Sequence, residues 1–303
     1  MASYPPPSGA PTRPPEILPP AGSGEAAAQQ EELRAVRERL PGQGQRSERR
    51  SWAYAPATYI LVGINCAVFL AMVFHHVSFL SPTSQDLFNW QANQSDAVLN
   101  NGEWWRVVTA MFVHVGIIHL ATNMWCLWNL GLLGEPLIGP LGVFAAYILS
   151  GAAGNLLSVG VNMYLFTRSP LSQADISVGA GASGAVFGIA GVLIVLLKSP
   201  RLPIPPKELA GLRRYVIYFA AINFVIGFGS LAVGSIVKID NMAHLGGFLG
   251  GIIFALPLVP LLGSPKSLFI FRRRIAVWML SGVLVFFGFY LSAVFPGGPA
   301  LLR

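Results

Sequence analysis

Long apolar segments, separated by short polar stretches, dominate the chain after residue 50. Each segment is continuously apolar and lacks the alternation of polar and apolar positions that a membrane β-barrel strand shows. Each is near the length of about 20 residues that a helix needs to cross a hydrocarbon core of about 30 Å. The predicted spans are residues 57–79, 107–130, 137–160, 181–197, 214–237, 241–262 and 274–295. Lipid offers the backbone no hydrogen-bond partners, so the pattern predicts transmembrane helices.

Composition excludes the soluble alternatives. Hydrophobic residues make up 53% of the chain and charged residues 11%, against about 25% charged in soluble domains. Residues 1–50 hold seven of the arginines and six of the glutamates, so the remainder is poorer still in charge. A soluble globular enzyme is therefore excluded. The only cysteines, Cys66 and Cys126, lie inside apolar segments, which excludes a disulfide scaffold.

The chain divides into three predicted regions. Residues 1–50 are rich in Pro, Arg and Glu and predict a disordered cytoplasmic tail, with no secretory signal peptide. Residues 51–265 predict a six-helix core. Residues 266–303 predict a basic linker and an additional seventh transmembrane helix. The predicted fold class is an all-α polytopic membrane protein.

Basic residues predict the orientation of the spans. Three clusters of Lys and Arg fall on one side of the membrane, which the positive-inside rule assigns to the cytoplasm: Arg46, Arg49 and Arg50; Lys198, Arg201, Lys207, Arg213 and Arg214; Lys266, Arg272, Arg273 and Arg274. The N-terminus is then cytoplasmic and the C-terminus outside, in the plasma membrane, which is the inner membrane of a bacterium. The net charge of +7 reflects these anchors at the lipid bilayer, and no nucleic-acid partner is expected.

Polar side chains inside the even-numbered spans predict a catalytic site. Span two contains His119 with Asn123 four residues later, span four opens with Ser183, and span six contains His244 near its start. These spans run in the same direction, so the four side chains are expected at one depth in the outer leaflet. Taken singly, the glycines around Ser183 and the step from Gly247 to Gly251 are equally typical of close helix packing.

Four short motifs in this order resemble the rhomboid family of intramembrane serine proteases, over roughly residues 57–263. The motifs are Trp105-Arg106, His119-x-x-x-Asn123, Gly181-Ala-Ser183-Gly184 and Ala243-His244-x-x-Gly247-x-x-x-Gly251. The resemblance implies a rhomboid-like six-helix core and a serine endopeptidase. It also implies that this endopeptidase cleaves transmembrane helices of other membrane proteins near their outer end.

The resemblance also implies a role for each matched residue. Ser183 would be the nucleophile and His244 its general base, with an oxyanion hole formed by His119, Asn123 and the backbone N–H of Ser183. Gly181 would let the backbone turn closely at that hole. Gly247, with Gly251, would let span six approach span four, and Trp105-Arg106 would have a structural role in the first external loop. The family often has Tyr four residues after the serine; here Phe187 keeps the ring and lacks the hydroxyl.

The sequence favours a Ser-His dyad over a triad, although Asp240, one turn from His244, is a possible third member. No metal motif such as H-E-x-x-H occurs, and no cofactor is expected. The expected partners are single-span membrane proteins whose helices unwind easily, while the client and the oligomeric state stay open. Two competing hypotheses are a client-binding pseudoenzyme and a transporter or channel. The sequence lacks the internal symmetry that is typical of transporters.

Overall fold

The computed structural model describes residues 54–168, 178–199, 202, 205–232, 240–259 and 265–295. The predicted disordered tail lies outside these residues, as do the ends of predicted spans five and six. Each of the seven predicted spans contains an α-helix, and within the described residues three short α-helices lie between Pro56–Phe74 and Ile117–Ile138. The helices are α1 (Pro56–Phe74), α2 (Ser84–Asn89), α3 (Ser95–Leu99), α4 (Arg106–Thr109), α5 (Ile117–Ile138), α6 (Pro140–Arg168), α7 (Ser183–Leu196), α8 (Pro206–Ala232), α9 (Asn241–Ala255) and α10 (Lys266–Val294).

The prediction of a continuous second span over residues 107–130 is wrong. Helix α4 and the 3₁₀ turn Ala110–Phe112 are bent by 95° from α5. Val113 is extended and Gly116 has a φ of 132°, a conformation that glycine adopts without a steric cost. The helix that fills the second span therefore begins at Ile117.

Other boundaries differ by several residues. Helix α1 ends at Phe74 instead of residue 79, and α8 begins eight residues earlier than predicted. Helix α6 covers Pro140–Arg168 instead of 137–160, because Gly139 with a φ of 74° ends α5 and Pro140 opens α6. Helix α9 ends at Ala255, short of the predicted residue 262, and α10 begins at Lys266 instead of residue 274. Apolar composition marks a span, but caps and turns set its ends.

Among the described residues, three helices are long and apolar enough to cross a membrane: Pro56–Phe74, Pro140–Arg168 and Ser267–Val294. The bent pair Arg106–Phe112 and Ile117–Ile138 makes a fourth if it is counted as one span. Helices α7 and α9 are apolar but shorter. An all-α polytopic membrane protein, predicted from the sequence, is thereby confirmed as the fold class.

Helices α6, α7 and α9 pack most closely and form the centre of the bundle. Glycine permits this packing, because an added Cβ at Gly247 would collide with the carbonyl of Gly184, and one at Gly251 with the carbonyl of Gly188. Backbones that touch in this way exclude any larger side chain at the contact. The step from Gly247 to Gly251 therefore sets the distance between α7 and α9.

A buried carboxylate joins α1 to α5. Glu135 lies in the last turn of α5, not in a turn between spans, and is 2% exposed. It accepts hydrogen bonds from the backbone N–H groups of Ala57 and Thr58, both at 2.9 Å, and from the Thr58 hydroxyl at 2.7 Å. The first N–H groups of a helix have no acceptor within that helix. Glu135 thus caps α1 from a neighbouring helix.

Replacing Glu135 by glutamine is expected to destabilise the fold. The amide NH₂ cannot accept the hydrogen bonds that one carboxylate oxygen now accepts, and a buried donor left without a partner costs about 1–3 kcal/mol. Unfolding in mixed micelles should show a loss of that size, with Glu208→Gln, an exposed change in the first turn of α8, as the control. Equal unfolding of the two variants would contradict this account of Glu135.

Candidate active site

A serine and a histidine from two central helices meet in the bundle. Ser183 is the first residue of α7, and His244 lies in the first turn of α9. The Ser183 Oγ is 2.8 Å from Nε2 of the His244 ring. The serine is half-buried and the histidine is buried. The structure therefore brings together, across 61 positions of sequence, a hydroxyl and an imidazole in the geometry that a nucleophile and its base require.

The contact depends on how closely α7 and α9 approach. Gly184, directly after the serine, lies against the backbone of Ala243, directly before the histidine, because an added Cβ would be 3.2 Å from the Ala243 carbonyl oxygen. One turn further on, Gly247 meets the Gly184 carbonyl. The reactive side chains thus project from the tightest part of the interface. A hydrogen bond of this kind tolerates a displacement of only a few tenths of an ångström.

Aromatic rings hold the imidazole in place. The ring of Phe187, one turn after Ser183, stacks on His244 with centroids 4.4 Å apart and planes 19° apart. Phe224 of α8 meets His244 edge-on at 6.2 Å and also contacts Phe187 at 4.7 Å. The resemblance singled out Phe187, whereas Phe224 was missed because it follows Asn223 among the apolar residues of α8 and belongs to no motif.

Asp240 is occupied elsewhere. It is the N-cap of α9, where its side chain accepts from the Ala243 N–H at 2.9 Å, and it also accepts from the Ser158 hydroxyl. Within the described residues, the buried Nδ1 of His244 has no hydrogen-bond partner. The ring is therefore held by stacking, while the Asp240 carboxylate is engaged by Ala243 and Ser158.

Replacing Asp240 by asparagine should leave cleavage nearly intact. Asparagine caps helices about as well as aspartate, and its amide can still bond to Ser158. Initial rates on a transmembrane substrate should stay within about threefold of wild type, since a capping change of a few tenths of a kcal/mol does not act on the barrier. A fall of about 10⁴-fold, as for loss of a triad acid, would assign Asp240 to the catalytic machinery.

The turn before Ser183 lies against His119. Gly181 has a φ of 131°, which disfavours any residue with a Cβ. An added Cβ there would also be 2.5 Å from Cε1 and 3.1 Å from Nε2 of the His119 ring. Gly181 therefore permits both the turn and the approach of the imidazole to the start of α7.

Hydrogen-bond donors occur at the start of α7 and on α5, which carries His119 and Asn123. As the first residue of α7, Ser183 has a backbone N–H with no acceptor inside its own helix, at the positive end of the helix dipole. Asn123 is buried and uses one amide hydrogen on the His119 carbonyl at 2.9 Å. The second hydrogen of that NH₂ group is left for another acceptor.

His114 belongs to this neighbourhood, although the sequence placed it in the first turns of span two and gave it no role. It is fully buried in the bend before α5, and its ring is 5.3 Å from that of His119. Its Nδ1 is 3.3 Å from the Phe112 carbonyl oxygen, and its Nε2 accepts weakly from the Ala182 N–H at 3.5 Å. An ionisable residue in an apolar run was the signal that marked it.

Trp105 and Arg106 lie apart from the serine and histidine, in the segment of residues 75–116 between α1 and α5, called here the first loop. The Arg106 guanidinium is buried, pairs with Glu103, and lies 4.0 Å above the Phe88 ring. It donates to the carbonyls of Phe88 and Ala92 at 2.8 and 3.1 Å. Trp105 donates from Nε1 to the Gln91 side chain at 2.7 Å. Their contacts thus organise the first loop.

Among the residues that the structure describes, no group of three or more His, Cys, Asp or Glu side chains is placed to bind a metal ion. The chemistry available at this site is that of a hydroxyl, imidazoles, an amide and backbone N–H groups.

Comparison with known proteins identifies the family that the chain resembles. Residues 101–261 match the family model described as the rhomboid domain. The chain is 28% identical over 233 residues to rhomboid protease GluP of Bacillus subtilis (strain 168), covering 77% of this chain and 40% of that protein. It is 30% identical over 214 residues to rhomboid protease AarA of Providencia stuartii, covering 67% and 72%.

A plant relative extends the comparison. The chain is 34% identical over 189 residues to the mitochondrial RHOMBOID-like protein 6 of Arabidopsis thaliana, covering 62% of this chain and 54% of that protein. The aligned regions thus span about half or less of GluP and of the Arabidopsis protein, and nearly three quarters of AarA.

Proposed function

The chain belongs to the rhomboid family, and from that premise we propose that it is a serine-type intramembrane endopeptidase with a Ser183–His244 dyad. The observation that carries the proposal is the 2.8 Å contact between the Ser183 Oγ and the His244 Nε2. In the proposed reaction the serine oxygen attacks a peptide carbonyl while Nε2 takes its proton. The imidazolium then gives that proton to the leaving amine, and a water molecule cleaves the acyl-enzyme by the same route.

The developing oxyanion needs donors on the side of the site opposite the base. We assign this role to the backbone N–H of Ser183 and to the side chains of His119 and Asn123. The first lies at a helix N-terminus, His119 contacts the turn at Gly181, and Asn123 retains a free amide hydrogen. A donor of this kind is typically worth about 3–4 kcal/mol in the transition state.

The length of α7 supports a site beneath the membrane surface. Helix α7 has 14 residues and is about 21 Å long at about 1.5 Å per residue, which is short of a hydrocarbon core of about 30 Å. If its C-terminus reaches one interface, then Ser183 at its N-terminus lies below the other. By the positive-inside rule the serine faces the outer leaflet, with the N-terminus of the chain cytoplasmic and its C-terminus outside.

The packing of α8 favours lateral access for a substrate. Within the described residues, α5 packs on α1, α6 and α7 and has few contacts with α8. Helix α8 packs on α7 and α9, and there its Phe224 ring covers His244. An outward shift of α8 would uncover the dyad without disturbing the α7–α9 interface. A helix from the bilayer is the substrate that such an opening admits.

The proposed substrates are single-span membrane proteins cut near their outer end. A helical backbone engages its carbonyl groups in hydrogen bonds, so the scissile segment must unwind before attack. Relative to alanine, glycine lowers the cost of leaving the helix by about 1 kcal/mol and proline by about 3 kcal/mol. Helices with such residues near their outer end should therefore be cleaved first.

The test uses purified protein in proteoliposomes and a panel of single-span helices that differ only in the outer third, with Gly-Ala or Leu-Leu there. A serine-directed fluorophosphonate is applied to the same sample. Cleavage of the Gly-Ala helices with labelling of the protein supports the proposal. Labelling or cleavage that persists unchanged when Ser183 is removed would overturn it, as would a wild-type protein that is neither labelled nor active.

A further inference from the structure

Helix α10, which fills predicted span seven, contacts the first loop at Trp104. Trp104, next to the Trp105-Arg106 pair, lies against Gly288 of α10. Its Cζ3 and Cη2 atoms are 3.5 and 3.8 Å from the position that a Cβ at Gly288 would take. That spacing is ordinary van der Waals contact, which leaves no room for a large side chain at Gly288.

A separate apolar cluster surrounds this contact. It joins the first loop, the C-terminal part of α6 and the C-terminal half of α10, and is distinct from the main core. Its buried members are Val98, Leu99, Val107, Ala152, Leu156, Val159, Met163, Leu291 and Phe295, with Trp104 packed against them. Helix α10 thus supplies part of the surface on which the first loop rests.

The other end of α10 is also fixed. Arg273 donates from its guanidinium to the carbonyl oxygen of Ile138, the last residue of α5, at 3.1 Å. A cation at a helix C-terminus satisfies a carbonyl that has no partner within the helix and favours the negative end of the dipole. Besides packing on α6 and α9, α10 is therefore tied to the end of α5 and to the first loop.

The first loop in turn holds the turn that precedes the serine. Gly181 donates its N–H to the carbonyl of Ala110 at 3.0 Å, and Asn93 and Gly179 exchange two backbone hydrogen bonds of 2.8 Å each. Asn155 of α6 donates to the Val107 carbonyl at 2.8 Å. Backbone hydrogen bonds therefore connect the first loop, which contains Trp104, to Gly179 and Gly181, just before Ser183.

We propose that α10 holds the turn before Ser183 in position and that Trp104 is the positioning residue through which α10 acts. The inference rests on the proposed function, because it concerns the geometry of the same serine. In this proposal α10 affects the rate of the chemical step, and the six-helix core needs α10 for full activity. Trp104 itself contacts Gly288 and the apolar cluster, not the reacting atoms.

The test compares two glycines of α10. Gly288→Phe forces a ring against Trp104, whereas Gly282→Phe adds the same ring where nothing lies within 4 Å. With a substrate that the wild type cleaves, Gly288→Phe should lower kcat between about tenfold and about a hundredfold, because a misplacement of about 1 Å can cost about 10²-fold. The KM of Gly288→Phe should be unchanged, and the kcat and KM of Gly282→Phe should equal those of the wild type. Trp104→Ala should reproduce the loss, and Trp104→Phe should restore most of the activity.

A stability control separates positioning from general loosening. Leu280→Ala removes a buried side chain of α10 in the main core and should lower the thermal midpoint at least as much as Gly288→Phe. Activity is measured at temperatures well below the thermal midpoints of both variants. If it falls in proportion to the loss of stability and not with the loss of the Trp104 contact, the proposal is refuted. Equal kcat for Gly288→Phe and Gly282→Phe refutes it as well. A wild-type protein that cleaves nothing would instead count against the proposed function.

Discussion

Replacing Ser183 by alanine is expected to abolish cleavage, with a fall in kcat of about 10⁶-fold, as for removal of the serine of a comparable hydrolase. The alanine retains the start of α7 and its backbone N–H but has no oxygen to attack the carbonyl. The protein should still insert and unfold like wild type, because Ser183 is only half-buried. The measurements are the rate on a Gly-Ala helix and fluorophosphonate labelling, and both should vanish.

Ser84→Ala is the matched control, because Ser84 is also the first residue of a helix, α2, and is exposed. It should be labelled and active like wild type. Normal turnover by the Ser183 variant would remove this residue from the mechanism and would leave the pseudoenzyme reading or another nucleophile to be considered.

Replacing His244 by alanine is expected to cost about as much in kcat, since the base and the nucleophile act as a unit. Ser183 would keep its hydroxyl but lose the group 2.8 Å away that takes its proton. Fluorophosphonate labelling should therefore persist at a rate lowered by about 10²–10⁴-fold, the usual contribution of general base catalysis. The double variant should be no slower in cleavage than either single variant.

His75→Ala, at the exposed end of α1, is the control for removal of a histidine outside the site. Additive losses in the Ser183 and His244 variants would show that the two residues act independently. A His244 variant labelled as fast as wild type would show that the imidazole does not activate the serine.

The family, the helical membrane fold and the approximate places of seven of the helices could be predicted from the sequence, although several of their ends could not. Lipid forces continuous apolar runs into helices, so span existence follows from composition alone. The motif spacing carried the family resemblance, which the match over residues 101–261 confirms. Residue types also pointed to Ser183 and His244, and the resemblance pointed to Phe187. The structure brings these three residues together.

Several parts of the site could not be predicted. The bend before α5, which puts His114 beside His119, depends on a single positive φ at Gly116 that the apolar composition of the segment hides. Phe224 and Trp104 look like ordinary apolar residues until their neighbours are known. Glu135 falls between the second and third predicted spans, residues 107–130 and 137–160, yet it is a buried cap for a different helix.

The sequence by itself determined which chemical groups lie in the membrane, and to which segments they belong. Only the tertiary structure decided that two of those groups, 61 positions apart, are close enough to share a proton. Hydropathy sets depth to within a turn or so of helix, whereas a hydrogen bond requires placement within tenths of an ångström. That precision comes from the glycine backbones of α7 and α9 in direct contact, which no single segment specifies.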